Sequence, residues 1–541
     1  MRILQASALA VFFLGLIACN PEDSVPQSNQ DSNILINNDS ETLSKRIKSS
    51  SAGVVGMRGF ADAAARVMDS ENTPAGTMAL ELVGQVAPPT INGVTLQANH
   101  VAIDGKYAYV AYTTQGPIFH GAIEIMDIST LPTPTIVSQA KFKYSNINSL
   151  TYDAGKLYMA VSSDIYKEEG VEAPANLLSV SVANGQFADD FKFHPVIGSA
   201  GTDIIHTENK VIVTSGTSGA ASVFDINTLE MVQVVEMEDL RSAVYGNGKL
   251  AVLDGSKGVN FLDLANFSVT SNIPVNLTVP HAKRTMDIHD DQLLVAEGPN
   301  GVGVYDLMSG SLVARLAIPE SENEVAIEDF VTNAVSSNQG HIYMANGGAG
   351  LSVSEFGATQ IEELGVLEIG GSSNYVKVNE DYIFVASGKE GLQVIKTNRI
   401  DEVNDPLCDG LPRYKGKATL NVNNGAQGYS GTTLLHQLNI NDEFTYCGAL
   451  AVTNRVNVNQ HAIFNMRGNL VIGKQDGNSG LIINGDMTVN GNLIIYGDLT
   501  INNSGVLEFV GENSSITVFG TVRINNQGEV KGNFKDLSGK L

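Results

Sequence analysis

Residues Leu293 to Leu307 read LLVAEGPNGVGVYDL, two short apolar strands joined by a Gly-rich turn. Outward from this stretch the same shape returns between about residue 100 and residue 397. Its copies are YAYVA…GAIEIMDI, LYMAV…NLLSVSV, VIVTS…GAASVFDI, LAVLD…GVNFLDL, IYMAN…GLSVSEF and YIFVA…GLQVIKT, which with LLVAE…GVGVYDL makes seven. Each copy has an upstream strand (HVAI, NSLTY, TDIIH, SAVYG, TMDIH, DFVTN, NYVKV) and a downstream one such as PTIVSQAKF or SLVARLAI. Four strands in roughly 40 to 55 residues is the period of a propeller blade. One blade alone leaves two apolar faces open, so the units must stack around an axis.

The seventh unit, Asn374 to Thr397, runs into a polar linker before a fourth strand appears, while a strand with no partner, ALELVGQV at Ala79 to Val86, precedes the first unit. That strand is expected to supply the missing outer position and close the ring, which removes a free edge. The turn glycines Gly121, Gly219, Gly258, Gly301, Gly350 and Gly391 suit positions needing positive φ or a close backbone approach. Asp127, Asp225, Asp263 and Asp306, late in the third strands, are expected to accept turn hydrogen bonds.

The chain has 541 residues, 33 Lys plus Arg against 58 Asp plus Glu, and a net charge of −25. A field of that sign repels phosphate backbones and argues against nucleic-acid binding. There are three cysteines. Cys19 ends Leu16-Ile17-Ala18-Cys19, behind Arg2 and an apolar run from Ala8 to Ile17 that is too short to span a bilayer and reads as an export signal. The ending resembles the lipobox of bacterial lipoproteins, in which the cysteine becomes the lipidated first residue. The resemblance implies a signal peptide over 1–19 and a membrane partner reached through a lipid anchor, at roughly 0.8 kcal/mol per buried CH₂. Asn20 with the acidic residues behind it points by analogy to the outer membrane, surface-exposed or facing the periplasm. Residues 20–75, rich in Ser, Asn and Asp, read as a flexible tether, with a short helix within GMRGFADAAARVM at Gly56 to Met68.

In the first unit, YAYVA, GAIEIMDIS, the Pro-containing turn Leu131 to Pro134 and PTIVSQAKF together resemble the LVIVD-type propeller repeat of bacterial surface and secreted proteins. The resemblance covers roughly 76–400 and implies a fold and a location, with no assigned chemistry. After a linker at 401–412 the rhythm changes to a six-residue step, GDMTV at Gly485, GNLII at Gly491 and GDLTI at Gly497. This suits a β-solenoid over 413–541 and resembles parallel β-helix and bactofilin-like repeats. The fold class is therefore all-β, a seven-bladed β-propeller followed by a small β-solenoid. Cys408 and Cys447, 39 residues apart, are expected to pair in an exported chain; a metal pair would lack neighbouring ligands.

No Gly-x-Ser-x-Gly elbow, His-Glu-x-x-His, haem-attachment or Walker motif occurs. Polar groups at the entry of the inner strands, which line a propeller's channel, are His100, Ser149, Asp203, Asp287, Asp329 and Tyr375, with Arg241 and Arg284 close by. Of these, His100, Asp203, Asp287 and Asp329 are the expected ligand-binding residues, and their hard oxygen donors make Ca²⁺ the ion expected there. The competing reading is that they only solvate the channel. Two functions follow. One is a membrane-anchored, surface-exposed scaffold that presents the propeller to a protein or glycan and is not an enzyme. The other is a lactonase- or hydrolase-like enzyme using the channel carboxylates with a metal ion. Fold alone does not choose between them.

Overall fold

The computed structural model describes residues 32–48, 52–59, 73–131, 134–275, 283–320, 325–400, 403–475 and 478–541. Cys19 and the export signal lie outside the described residues, as does 60–68 of the expected helix.

The opening stretch shows why the repeat folds as it does. Leu293, Leu294, Val295 and Ala296 are all 0% exposed. Successive side chains of a strand point to opposite faces. Leu293 and Val295 pack with Ala251, Leu253 and Phe261 of the preceding unit, and Leu294 packs with Val335, Ile342 and Met344 of the following one. A strand with both faces covered reads as a continuous apolar run, and the cover here is a blade on each side. Gly301 turns the hairpin at φ 77°, and Gly121 brings its backbone so near Ser145 that a Cβ would lie 2.5 Å from the carbonyl oxygen. The four aspartates cap turns as expected: Asp306 accepts from the Met308 and Ser309 amides, Asp225 from those of Asn227 and Thr228, Asp263 from those of Ala265 and Asn266, and Asp127 from that of Ser129.

The inner strands are Gln97–Asp104, Ser145–Asp153, Asp203–His206, the second half of Met231–Gly246, Met286–His289, Ala334–Asn338 and Tyr375–Asn379. Each contacts the next, and the last contacts the first. Ala79–Val86 pairs antiparallel with Leu392–Asn398, so the outer strand of the last unit comes from the front of the chain. One junction is continuous. Met231–Gly246, 16 residues long, pairs with Gly216–Asp225 as the outer strand of the third unit. Past a register shift between Leu240 and Ser242 it pairs with Lys249–Asp254 as the inner strand of the fourth. In the sixth unit the inner strand is Ala334–Asn338, whereas the sequence places it at DFVTN, residues 329–333.

The expected tether is corrected over much of its length. Ile34–Asn37 adds a strand to Thr135–Phe142, Ile47–Lys48 and Gly53–Val54 pair with Ala79–Val86, and Met57–Arg58 pairs with Ile361–Leu367. A helix Ser40–Ser44, capped by Asp39, seats Leu43 at 0% exposure in the core between the last and first units. These pieces are two to five residues long and carry no readable periodicity, yet each meets an outer blade edge that already has one ladder to offer.

From Thr419 the strands pair in parallel register, coil above coil, down to Lys535–Asp536. Phe464, Met466, Leu470 and Ile472 sit beneath Met487, Val489, Leu493 and Ile495 in one dry core. The alternation that suggested a solenoid is thus its inward face. One corner carries an asparagine ladder. Asn441 donates to Asn423, Asn459 to Asn441, Asn502 to Asn484 and Asn525 to Asn502, at 2.7 to 2.8 Å. Cys408 and Cys447 form a disulfide with Cα atoms 5.7 Å apart.

The solenoid is not separated from the propeller by a free linker. Leu434, Ala449, Ala451, Val471 and Tyr496 pack with Leu80, Leu82, Val54 and Met57 and with the last two blades in a single buried cluster. Backbone bonds tie Gly76 to Leu434 and Val54 to Gly473, and the Tyr496 hydroxyl meets the buried Glu81 carboxylate at 3.2 Å. No helix among the described residues is long and apolar enough to cross a membrane.

Candidate functional site

At the mouth of the channel the position just before the inner-strand entry is filled by Asn99, Asn148, Thr202, Arg241, Arg284, Asn333 and Asn374, one from each unit. Asn99, Asn148 and Arg241 occupy register shifts, where an extra residue leaves the ladder and its side chain is re-aimed. Four of these side chains make the same bond to the next unit. Asn374 donates to the Ala98 carbonyl at 3.2 Å, Asn99 to Ile147 at 2.9 Å, Asn148 to Gly201 at 2.6 Å and Thr202 to Leu240 at 3.0 Å. The pattern stops at the fourth unit. There Arg241 turns to Asp239, at 2.6 Å and 3.0 Å, and in the fifth Arg284 turns to the Ala296 carbonyl.

From that interrupted side Lys283 reaches to the first two units. Its ammonium donates to the carbonyls of Asn99 at 3.0 Å and Asn148 at 2.7 Å, and lies 5.1 Å from the Tyr375 ring centre. Burial lowers its pKa to about 8, and the negative charge of Asp203 opposes part of that fall. The mouth above is a cavity of about 350 Å³ whose lining includes Asn99, Asn148, Arg241, Lys283, Asp329 and Asn374. The Asn99 amide oxygen, within this lining, makes no hydrogen bond among the described residues.

Beneath the mouth lies a fully inward polar chain. The Ser149 hydroxyl donates to Asp203 at 2.6 Å, and His100 Nε2 lies 3.2 Å from the same hydroxyl. The Leu150 amide donates to His100 Nδ1, so the ring carries its proton on Nε2 and gives it to Ser149. Asp203 also accepts from the Ile204 and Ala243 amides, at 3.0 Å and 3.1 Å. His100, Ser149 and Asp203 are 6%, 0% and 5% exposed. Burial raises the Asp203 pKa against the pull of Lys283 and its hydrogen bonds, and burial together with Lys283 and Lys377 holds His100 well below its usual value. The order Asp–Ser–His is not that of an activated nucleophile. The serine proton points at the carboxylate, and the histidine donates to the serine oxygen where a base would have to accept from it.

Of the expected ligand-binding residues, His100, Asp203 and Asp287 line one cavity, and Asp329 lies apart from them at the mouth. His100 and Asp203 meet through Ser149, with the Tyr375 ring tilted against His100 at a centroid distance of 4.0 Å. Asp287 lies further along its strand and shares with His100, Asp203 and Tyr375 a second cavity, of about 320 Å³. It accepts from the Ser337 amide and hydroxyl at 2.6 Å and 2.8 Å. Asp329 belongs to a turn before its inner strand and accepts from Ser372 at 2.7 Å, at the mouth. Among the described residues no three His, Cys, Asp or Glu side chains are grouped so as to hold a metal ion. The cation nearest the converging carbonyls is the chain's own Lys283. Sequence reasoning missed Lys283 and the asparagine positions; Asn99, Asn148 and Asn374, each one residue before an expected entry, were the signal available.

These units, closed around a channel and joined to a parallel solenoid, define a β-propeller protein. The LVIVD repeat model matches residues 97–140 and 370–395. No curated protein matches the chain. Among solved structures, the computationally designed Ika8 protein is similar at 9% identity with TM-score 0.39, over 61% of this chain and 98% of that one. The WD40 β-propeller domain of Doa1 is similar at 12% identity with TM-score 0.40, over 58% of this chain and 96% of that one. A propeller with LVIVD repeats suggests a protein-interaction or scaffold role.

Proposed function

We propose that the chain is a lipid-anchored scaffold on the outer membrane, exposed at the surface or facing the periplasm, whose propeller mouth recognises a protein or glycan. The observation that carries this reading is the commitment of the channel's polar groups. Those that resemble catalytic machinery already bond one another or the next blade, whereas the mouth above them keeps a cavity lined by polar side chains such as Gln97, Gln115 and Glu328. Amides, a lysine and carboxylates around a shallow cavity suit a hydroxylated ligand or the tip of a polar loop. A glycan and protein array, run beside a screen on lactones and esters with and without calcium, tests it. Binding that Lys283→Met or Arg241→Ala weakens supports the reading. Turnover that Asp203→Asn or Asp287→Asn abolishes would give the function to the enzyme instead. The anchor is tested separately by labelling with a fatty-acid analogue, which Cys19→Ala should abolish.

A further inference from the structure

The N-terminal strap shows how this propeller treats its rim. It lays a short antiparallel strand on the outer edge of the first, the last and the sixth blade. Two of the three pieces on the sixth and last blades are an apolar residue followed by a cation, Ile47-Lys48 and Met57-Arg58, and the third is Gly53-Val54. Basic side chains of the strap find acidic or carbonyl partners: Arg46 pairs with the buried Glu124, and Arg58 donates to the Glu320 carbonyl at 2.7 Å.

The fifth blade has the same kind of edge without that cover. Leu312–Leu316 is the last strand of its sheet among the described residues, with Leu312 and Val313 50% and 55% exposed. Beside it runs an open groove of about 800 Å³ whose far wall is Phe356 to Glu363 of the sixth blade. Glu362 and Glu363 on that wall are exposed and form no ion pair among the described residues. The one cation in the lining, Arg315, pairs with Glu297, so the groove presents net negative charge to an incoming chain.

We infer that the outer edge Leu312–Leu316 is a docking site for an extended segment of a partner protein, one that pairs antiparallel and carries a basic residue beside an apolar one. Backbone bonds to the edge give affinity without regard to side chains, and the two glutamates select the cation. The Arg58 contact with Glu320 places the strap's own apolar-basic strand just past the end of this edge, so the surface recognised is continuous with one the molecule already uses.

The probe is a fluorescein-labelled peptide with the strap sequence AGVVGMRG of residues 52–59, titrated into the full chain by polarisation and mapped by hydrogen exchange. The inference expects saturable binding with new protection at 312–316. It also expects roughly tenfold weaker binding to the exposed double variant E362K/E363K, and equal weakening when the peptide's arginine is replaced by glutamate. Three results would overturn it: no binding up to about 1 mM peptide, protection confined to 361–367 or 79–86 through displacement of the strap, or binding indifferent to both charge changes. Protection at 312–316 that rises with protein concentration and needs no peptide would also overturn it, because the occupant would then be a second copy of this chain.

Discussion

A lysine ammonium set against the main-chain carbonyls of two units places a fixed cation at the mouth of the channel. Lys283 is the residue whose titration should be visible in the stability of the whole ring. Its folded pKa is about 8, against 10.5 for the ordinary side chain. Between those values the unfolded chain holds a proton that the folded chain has released, so stability rises with pH in that window. A wild-type denaturation midpoint should climb between pH 8 and 10, and the Lys283→Met variant should lack that component. Parallel curves for the two proteins would refute the assignment. Asn374 makes a sharper local claim. It carries the bond from the last unit to the first, and Asn374→Ala should cost about 1 kcal/mol, the net worth of an ordinary hydrogen bond. The asparagines escaped the sequence reading because Asn is abundant in this chain and signals turns in general. Only the strand register shows that these particular ones precede inner-strand entries.

At the scale of elements, periodicity made some features legible and length hid others. Runs such as YAYVA and LLVAE carry enough consecutive apolar residues to announce a strand covered on both sides, and Ala79–Val86 was identifiable as the strand that the last unit lacked. The strap strands were invisible because two residues cannot express a period of two. Asp329 was misplaced for a related reason: its segment has the composition of an inner strand, but the ladder begins at Ala334. The test of the strap is Leu43→Ala. A tether residue would tolerate the change, whereas a leucine at 0% exposure in the core should cost about 2–5 kcal/mol. Urea unfolding of the two proteins decides between them.

The whole molecule should behave as one cooperative body. The buried cluster that joins Leu80 and Val54 to Leu434 and Val471 leaves neither half a complete surface of its own. Calorimetry is expected to show a single transition, and two well-separated ones would mean that the shared core contributes little. Reduction of Cys408–Cys447 tests the same coupling from the solenoid end. Opening a loop of 39 residues removes roughly 4 kcal/mol by the chain-entropy relation, and that loss should lower the same single transition.

The asparagine ladder also bears on how long such a molecule can be. Its bonded rungs recur at separations of 18 or 23 residues, in two runs, Asn423 to Asn459 and Asn484 to Asn525, within each of which one rung offers the next an identical acceptor. The buried apolar cluster shared with the propeller reaches along the solenoid as far as Tyr496, and the core of the coils beyond it is built from their neighbours. Insertion or loss of a whole coil there would preserve every stacking partner and leave the ring untouched. In that half of the molecule, reach is a variable that can change in steps of one coil height while the other end stays fixed.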